Sequence, residues 1–141
     1  MDAHHHASSP SDDLGKLVLR VALGLFILLH GIAKLLGGVD SIAGMLTKIG
    51  MPDAFAYLVY VGEVIAPVLV LIGVWTRAAA LVIAINMIVA IMLVHTAEFF
   101  TLSKTGGWAL ELQGMFFTAA VAIALLGAGR YSIGGVGGRW N

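Results

Sequence analysis

Cysteine is absent from the 141 residues, and with it go disulfide frameworks, thiolate metal sites, dithiol redox pairs and covalent c-type haem attachment. Any electron chemistry must therefore come from a bound group or a partner. Charge is also scarce. Charged side chains make up 11% of the chain, and eight basic against eight acidic residues leave a formal net charge of zero, so there is no electrostatic footprint for nucleic acid. What is abundant is apolar: 60% of residues are hydrophobic and the mean hydropathy is +0.97. That composition lies outside the soluble range and makes the lipid bilayer the chain's solvent and first partner.

Four apolar segments, near 17–36, 54–75, 77–99 and 108–127, are each long enough to cross about 30 Å of hydrocarbon at a rise of 1.5 Å per residue. Spanning backbone must satisfy its own hydrogen bonds, and segments of this length without period-two alternation do so as helices. The expectation is an all-α integral membrane four-helix bundle running up-down-up-down. It forms a domain over 15–130, between a polar tail over 1–14 and a C-terminal tail over 131–141. The opening "MDAHHHASSPSDDLGK" carries a short histidine run, and His4, His5 and His6 take no part in the site reasoning. The apolar stretch after it lacks a small-x-small cleavage site and reads as a retained first span rather than a signal peptide.

The link "GGVDSIAGMLTKIGMPDA" has Ile42, Met45, Leu46 and Ile49 at helical spacing, which predicts a short interfacial helix. The tight "GVWTR" makes spans two and three antiparallel neighbours, and "TLSKTGG" is a turn-rich surface loop. Gly24, Gly31, Gly62, Gly73 and Gly114 are read as close-packing positions between helices. Trp75, Trp108 and Trp140 stand at or beyond span ends, as interfacial aromatics do. Lys16, Arg77, Arg130 and Arg139 lie on the N-terminal side and Lys34, Lys48 and Lys104 opposite, a bias that puts both termini in the cytoplasm.

Depth arithmetic gathers the polar residues. His30 and Lys34 lie in the far half of span one, Glu63 about 14 Å into span two, His95 and Glu98 near the far end of span three, and Glu111 in the first turn of span four. Six ionisable residues from four helices thus share one half of the bilayer. A charge at mid-membrane costs about 2.5–3.5 kcal/mol on insertion scales, so these groups must pair or be hydrated. Lys34 is expected to meet Glu63 or Glu111. Arg20 either pairs within the bundle or snorkels to the surface, and the same alternative stands for Lys34.

On a helical wheel Arg20, His30 and Lys34 fall within about 80°, so that face should point inward. Asn86 and His95 are nine residues apart and fall on roughly opposite sides of their helix. Pro67 in the neighbouring helix is a potential source of distorted packing. A satisfied hydrogen bond for His30 and an interfacial position for His95 account for both better than a metal site at His95-x-x-Glu98 or a haem held by both histidines, so no metal is expected.

The segments "LVLRVALGLFILLHGIAKLLGG", "IGMPDAFAYLVYVGEVIAPVLVLIGVWTRAAALVIAINMIVAIMLVH" and "GGWALELQGMFFTAAVAIALLGAGRYSIG", in this order and spacing, resemble the DoxX family of prokaryotic membrane proteins over about 15–134. Ala128 departs from the proline often found in the family's ending, which touches only the final turn. The resemblance implies a multi-pass protein of a prokaryotic inner membrane that works with partner proteins in sulfur or oxidant metabolism. It places His30, Lys34, Glu63, His95 and Glu111 in a polar pocket, with Arg20, Asn86 and Glu98 supporting.

The expected function is that of a quinone-linked redox subunit. His30, Lys34 and Glu111 would donate hydrogen bonds to a quinone head group, Glu63 would carry protons, and a soluble redox partner would supply electrons. Two alternatives stand beside it: a non-catalytic anchor or assembly partner whose polar cluster sets helix register, and a small-solute or proton pathway, for example in a homo-oligomer.

Overall fold

The structure is a computed structural model that describes residues 9–141, so His4, His5 and His6 lie outside the described residues. It is an all-α membrane helical bundle, as expected from the sequence. Helix α1 (Pro10–Gly37) starts in the polar segment expected to be a tail, because Ser9 and Asp12 form a reciprocal cap: the Asp12 amide donates to Ser9 Oγ and the Ser9 amide to Asp12 Oδ2. Pro10 opens the first turn, where its missing N–H costs nothing, and Asp12 and Asp13 sit favourably at the positive end of the helix dipole. Gly38, at φ 80°, ends it.

Helix α2 (Asp40–Lys48) is the expected short helix, and it packs onto the start of the next segment through a small core of Val39, Leu46 and Ala56. Helix α3 (Asp53–Ile72) is not uniform. It begins as a 3-10 turn over Asp53–Leu58, widens to a π turn over Val61–Ile65 and becomes α-helical over Ala66–Ile72. Pro67 supplies the reason: it has no N–H for the Glu63 carbonyl four residues back, and its ring crowds that carbonyl. The backbone relieves the clash by bonding five residues apart, Ala66 N–H to the Val61 carbonyl.

Helix α4 covers Thr76–Val94 and α5 covers Glu111–Leu126. Among the described residues three helices, α1, α3 and α4, are long and apolar enough to cross a membrane. The fourth expected span is shorter than predicted. At 16 residues α5 rises about 24 Å against about 30 Å of hydrocarbon. Trp108 and Ala109 are drawn instead into the preceding loop, where Leu102 bridges Trp108 and the Ala109 amide donates to the Thr101 carbonyl. The third span also ends early, at Val94, leaving His95 and Glu98 in a cap and a short 3-10 turn (Thr96–Glu98).

Successive helices are antiparallel. Late α1 meets the middle of α3 at Lys34 and Glu63, while earlier in α1 Arg20 meets late α3 at Val70. Early α4 meets late α5 through Arg77, which donates to the Ala124 and Leu125 carbonyls. The ring closes because α5 packs on α1 as well as on α4. The core between them is rich in small side chains, among them Ala66, Ala79, Ala80, Ala84 and Ala120, which let the backbones approach where no hydrophobic force separates helix from lipid.

The expected C-terminal tail is part of the fold. Amides of Ile133 and Gly134 donate to the Ile72 and Gly73 carbonyls, Ala128 and Arg77 donate to the Asn141 and Trp140 carbonyls, and Asn141 Oδ1 accepts from both the amide and the hydroxyl of fully buried Thr76. These bonds close the end of the bundle where α3 stops and α4 starts.

Candidate polar site in the bundle

The π turn in α3 sets Glu63 between two helices. Its residue is 5% exposed; Oε2 accepts an ion pair from Lys34 Nζ on α1, and Oε1 accepts from Asn86 Nδ2 on α4 at 3.2 Å. Two glycines make that reach possible. A Cβ on Gly31 would overlap the Glu63 carbonyl, and one on Gly62 would stand 2.5 Å from Asn86 Cγ. Both contacts are tighter than real side-chain carbons tolerate, so only glycine lets α1 and α4 close on α3 here. Tyr60 OH donates to the Lys34 carbonyl at 3.1 Å and ties the last turns of α1 to the same segment.

The arrangement joins three helices through one carboxylate. Glu63 lies roughly 15 Å along α3 from its start, deep enough that snorkelling is no alternative to pairing. Lys34 is different: its side chain is 29% exposed, so the pair has a dry side at Glu63 and an open side at the ammonium. A carboxylate with one accessible cationic partner can pass a proton between an interior site and that opening.

The other expected members are elsewhere. His30 is exposed on the α5 side of α1 and packs edge-on against Phe116, ring centroids 5.9 Å apart and planes at 75°. His95 caps α4, with Nδ1 2.8 Å from Glu98 Oε2 and Nε2 3.3 Å from Gln113 Nε2 on α5. Asn86 and His95 do lie on different sides of α4, and each serves a different neighbour, α3 for Asn86 and α5 for His95.

Glu111 opens α5, and its Oε1 accepts the Trp108 amide of the preceding loop at 3.1 Å. Accordingly Glu111→Ala should lower stability by about 1 kcal/mol, the usual net worth of one hydrogen bond, with function unchanged, as read by thermal unfolding in detergent beside an activity assay. Arg20 does not snorkel, and its hydrogen-bond acceptors are backbone carbonyls. It is fully buried and donates to the carbonyls of Val70 at 2.9 Å, Leu71 at 3.2 Å and Tyr131 at 2.5 Å. Among the described residues no group of three or more His, Cys, Asp or Glu side chains is placed to hold a metal.

Two participants were not anticipated. Gln113 could have been noticed as the amide in an otherwise apolar helix, two residues from Glu111. Tyr60 acts through its hydroxyl on a backbone carbonyl, for which pairing of side chains gives no signal.

The polar centre therefore comprises Lys34, Glu63 and Asn86, all within the stretch that the DoxX family profile matches, residues 15–96. The chain belongs to the DoxX family. Among curated proteins, this DoxX chain is 34% identical over 116 residues to the putative oxidoreductase CatD of Bacillus subtilis, covering 77% of the chain and 86% of that relative. It is 30% identical over 115 residues to an uncharacterized protein of Haemophilus influenzae, covering 76% and 84%. No solved structure matches.

Proposed function

We propose that this DoxX protein is the membrane subunit of a quinone-linked oxidoreductase, in which the Lys34–Glu63–Asn86 centre handles protons. The observation that carries the reading is the buried Glu63 carboxylate, held between an accessible lysine and an amide at mid-bundle. Buried ionisable groups in a membrane are costly, and a functional role is the default reading for them. The naming of a relative as a putative oxidoreductase agrees with it.

Reducing a quinone takes two electrons and two protons. With no cysteine in the chain, the electrons come from a reduced soluble partner, in sulfur or oxidant metabolism, and the protons pass through Glu63 and Lys34. We place the protein in a prokaryotic inner membrane with both termini in the cytoplasm, where Lys16, Arg77, Arg130 and Arg139 gather. In this reading α5 completes a four-pass bundle.

A second reading, a non-catalytic anchor for partner proteins, is favoured by the way Glu63 alone ties α1, α3 and α4 into register. Mass spectrometry of the detergent-purified protein and its lipid extract separates the two. The redox reading expects quinone retained with the protein beyond its share of the extracted lipid, and a quinone content no higher than in the bulk membrane favours the anchor.

A further inference from the structure

We propose that the groove between α1 and α5 seats a quinone-type ring drawn from the bilayer, with His30 as its hydrogen-bonding contact. The proposal rests on the quinone-linked reading above and adds where the ring binds. The groove is lined by Phe26, Leu29, His30 and Ala33 of α1 and by Leu112 and Phe116 of α5. Its volume is about 440 Å³, in the range of small-molecule sites. The four α1 residues recur at helical spacing, so the groove follows one face of that helix for about 10 Å. Its α1 rim faces outward, Phe26 being 55% and Leu29 63% exposed, which in a spanning helix means toward lipid.

Within this apolar lining His30 is the one polar side chain. It makes no hydrogen bond or ion pair to any described residue, and its only ring contact is the edge-on packing against Phe116. An imidazole inside a 20-residue apolar run needs a partner for its ring nitrogens, because hydrocarbon offers none. A planar ring with carbonyl or hydroxyl oxygens meets that need in either redox state. A quinone oxygen accepts from the imidazole N–H, and a quinol hydroxyl donates to the unprotonated nitrogen. Phe26 and Phe116 supply aromatic surface for such a ring, and its tail leaves directly into lipid. Lys34 lies one turn further along α1, about 6 Å in rise, which puts the ring site beside the ion pair rather than on it.

The test uses the full chain in phosphatidylcholine nanodiscs, a photoreactive short-chain benzoquinone as probe and decylubiquinone as competitor. Competable labelling is expected within 26–33 and 112–116. It should fall about tenfold in His30→Ala, the loss expected for one missing hydrogen bond, and return in His30→Gln, which keeps a donor. Leu29→Trp, on the exposed rim, fills the groove without touching the core and should abolish labelling even if His30→Ala folds poorly. Competable labelling elsewhere, or labelling of the groove indifferent to both His30→Ala and Leu29→Trp, overturns the site while the redox reading stands. Absence of any competable labelling removes the quinone-linked reading and the site together.

Discussion

Arg20→Met should leave little folded protein. The guanidinium is fully buried and its two terminal nitrogens serve three carbonyls, two of them at the end of α3 and the third at Tyr131 in the C-terminal segment. The last carbonyls of a helix have no partner within the helix, and in a bilayer water is not there to replace one. Removing the fork orphans all three. At about 1–3 kcal/mol for each unsatisfied buried group, the loss is on the order of 3 kcal/mol or more, against a smaller gain from no longer burying the charge. Methionine matches the stem but not the fork. Lysine at the same place keeps the charge but reaches fewer carbonyls, so Arg20→Lys should fall between the two. Thermal unfolding in detergent reads the series, and an Arg20→Met protein as stable as wild type would show that the carbonyls are satisfied in another way.

Glu63→Gln should have the opposite profile: fold kept, function lost. Glutamine has nearly the shape of the glutamate, its amide oxygen can still accept from Asn86 or Lys34, and Gly31 and Gly62 still admit the close backbones. What disappears is the carboxylate to which the proposal assigns proton transfer. General acid–base transfer contributes typically about 10²–10⁴-fold to a rate, so quinone-dependent turnover should fall by at least that order while the melting temperature changes little. Loss of folding with the substitution would instead assign the cluster to helix register.

These two residues also show what the sequence made legible. Depth along the helices narrowed the partner of Lys34 to Glu63 or Glu111, because all three sit in the same half of the bilayer, and the structure pairs it with Glu63. The partner of Arg20 was not legible, since its acceptors are backbone carbonyls, and a search among side chains does not reveal them. Arg77 repeats the pattern at the end of α5.

The wheel arithmetic for α1 was sound in angle and too coarse in consequence. Arg20 and His30 mark the two edges of the 80° arc, and α1 has a neighbour on each side, so Arg20 turns to α3 and His30 to the α5 flank. The same holds for α4, whose two polar positions looked incompatible only if one inward face is assumed. The shift of Glu63 onto a π turn depends on Pro67 four residues later. The proline was visible in the sequence, but not that the helix would widen to a π turn whose Glu63 carbonyl lies close against Gly31. The ordered C-terminal segment had no signal in composition, being rich in glycine and polar residues; it is held by buried Thr76 and by backbone bonds to Ile72 and Gly73.

The most direct test of the central claim is the ratio of quinol to quinone extracted from membranes of cells that carry the wild-type protein, the Glu63→Gln variant at matched abundance, or neither. The account predicts a ratio shifted by the wild type and restored by Glu63→Gln to that of cells without the protein. A Glu63→Gln ratio equal to wild type, or no shift by the wild type itself, would contradict a proton-handling role for the buried carboxylate in quinone chemistry.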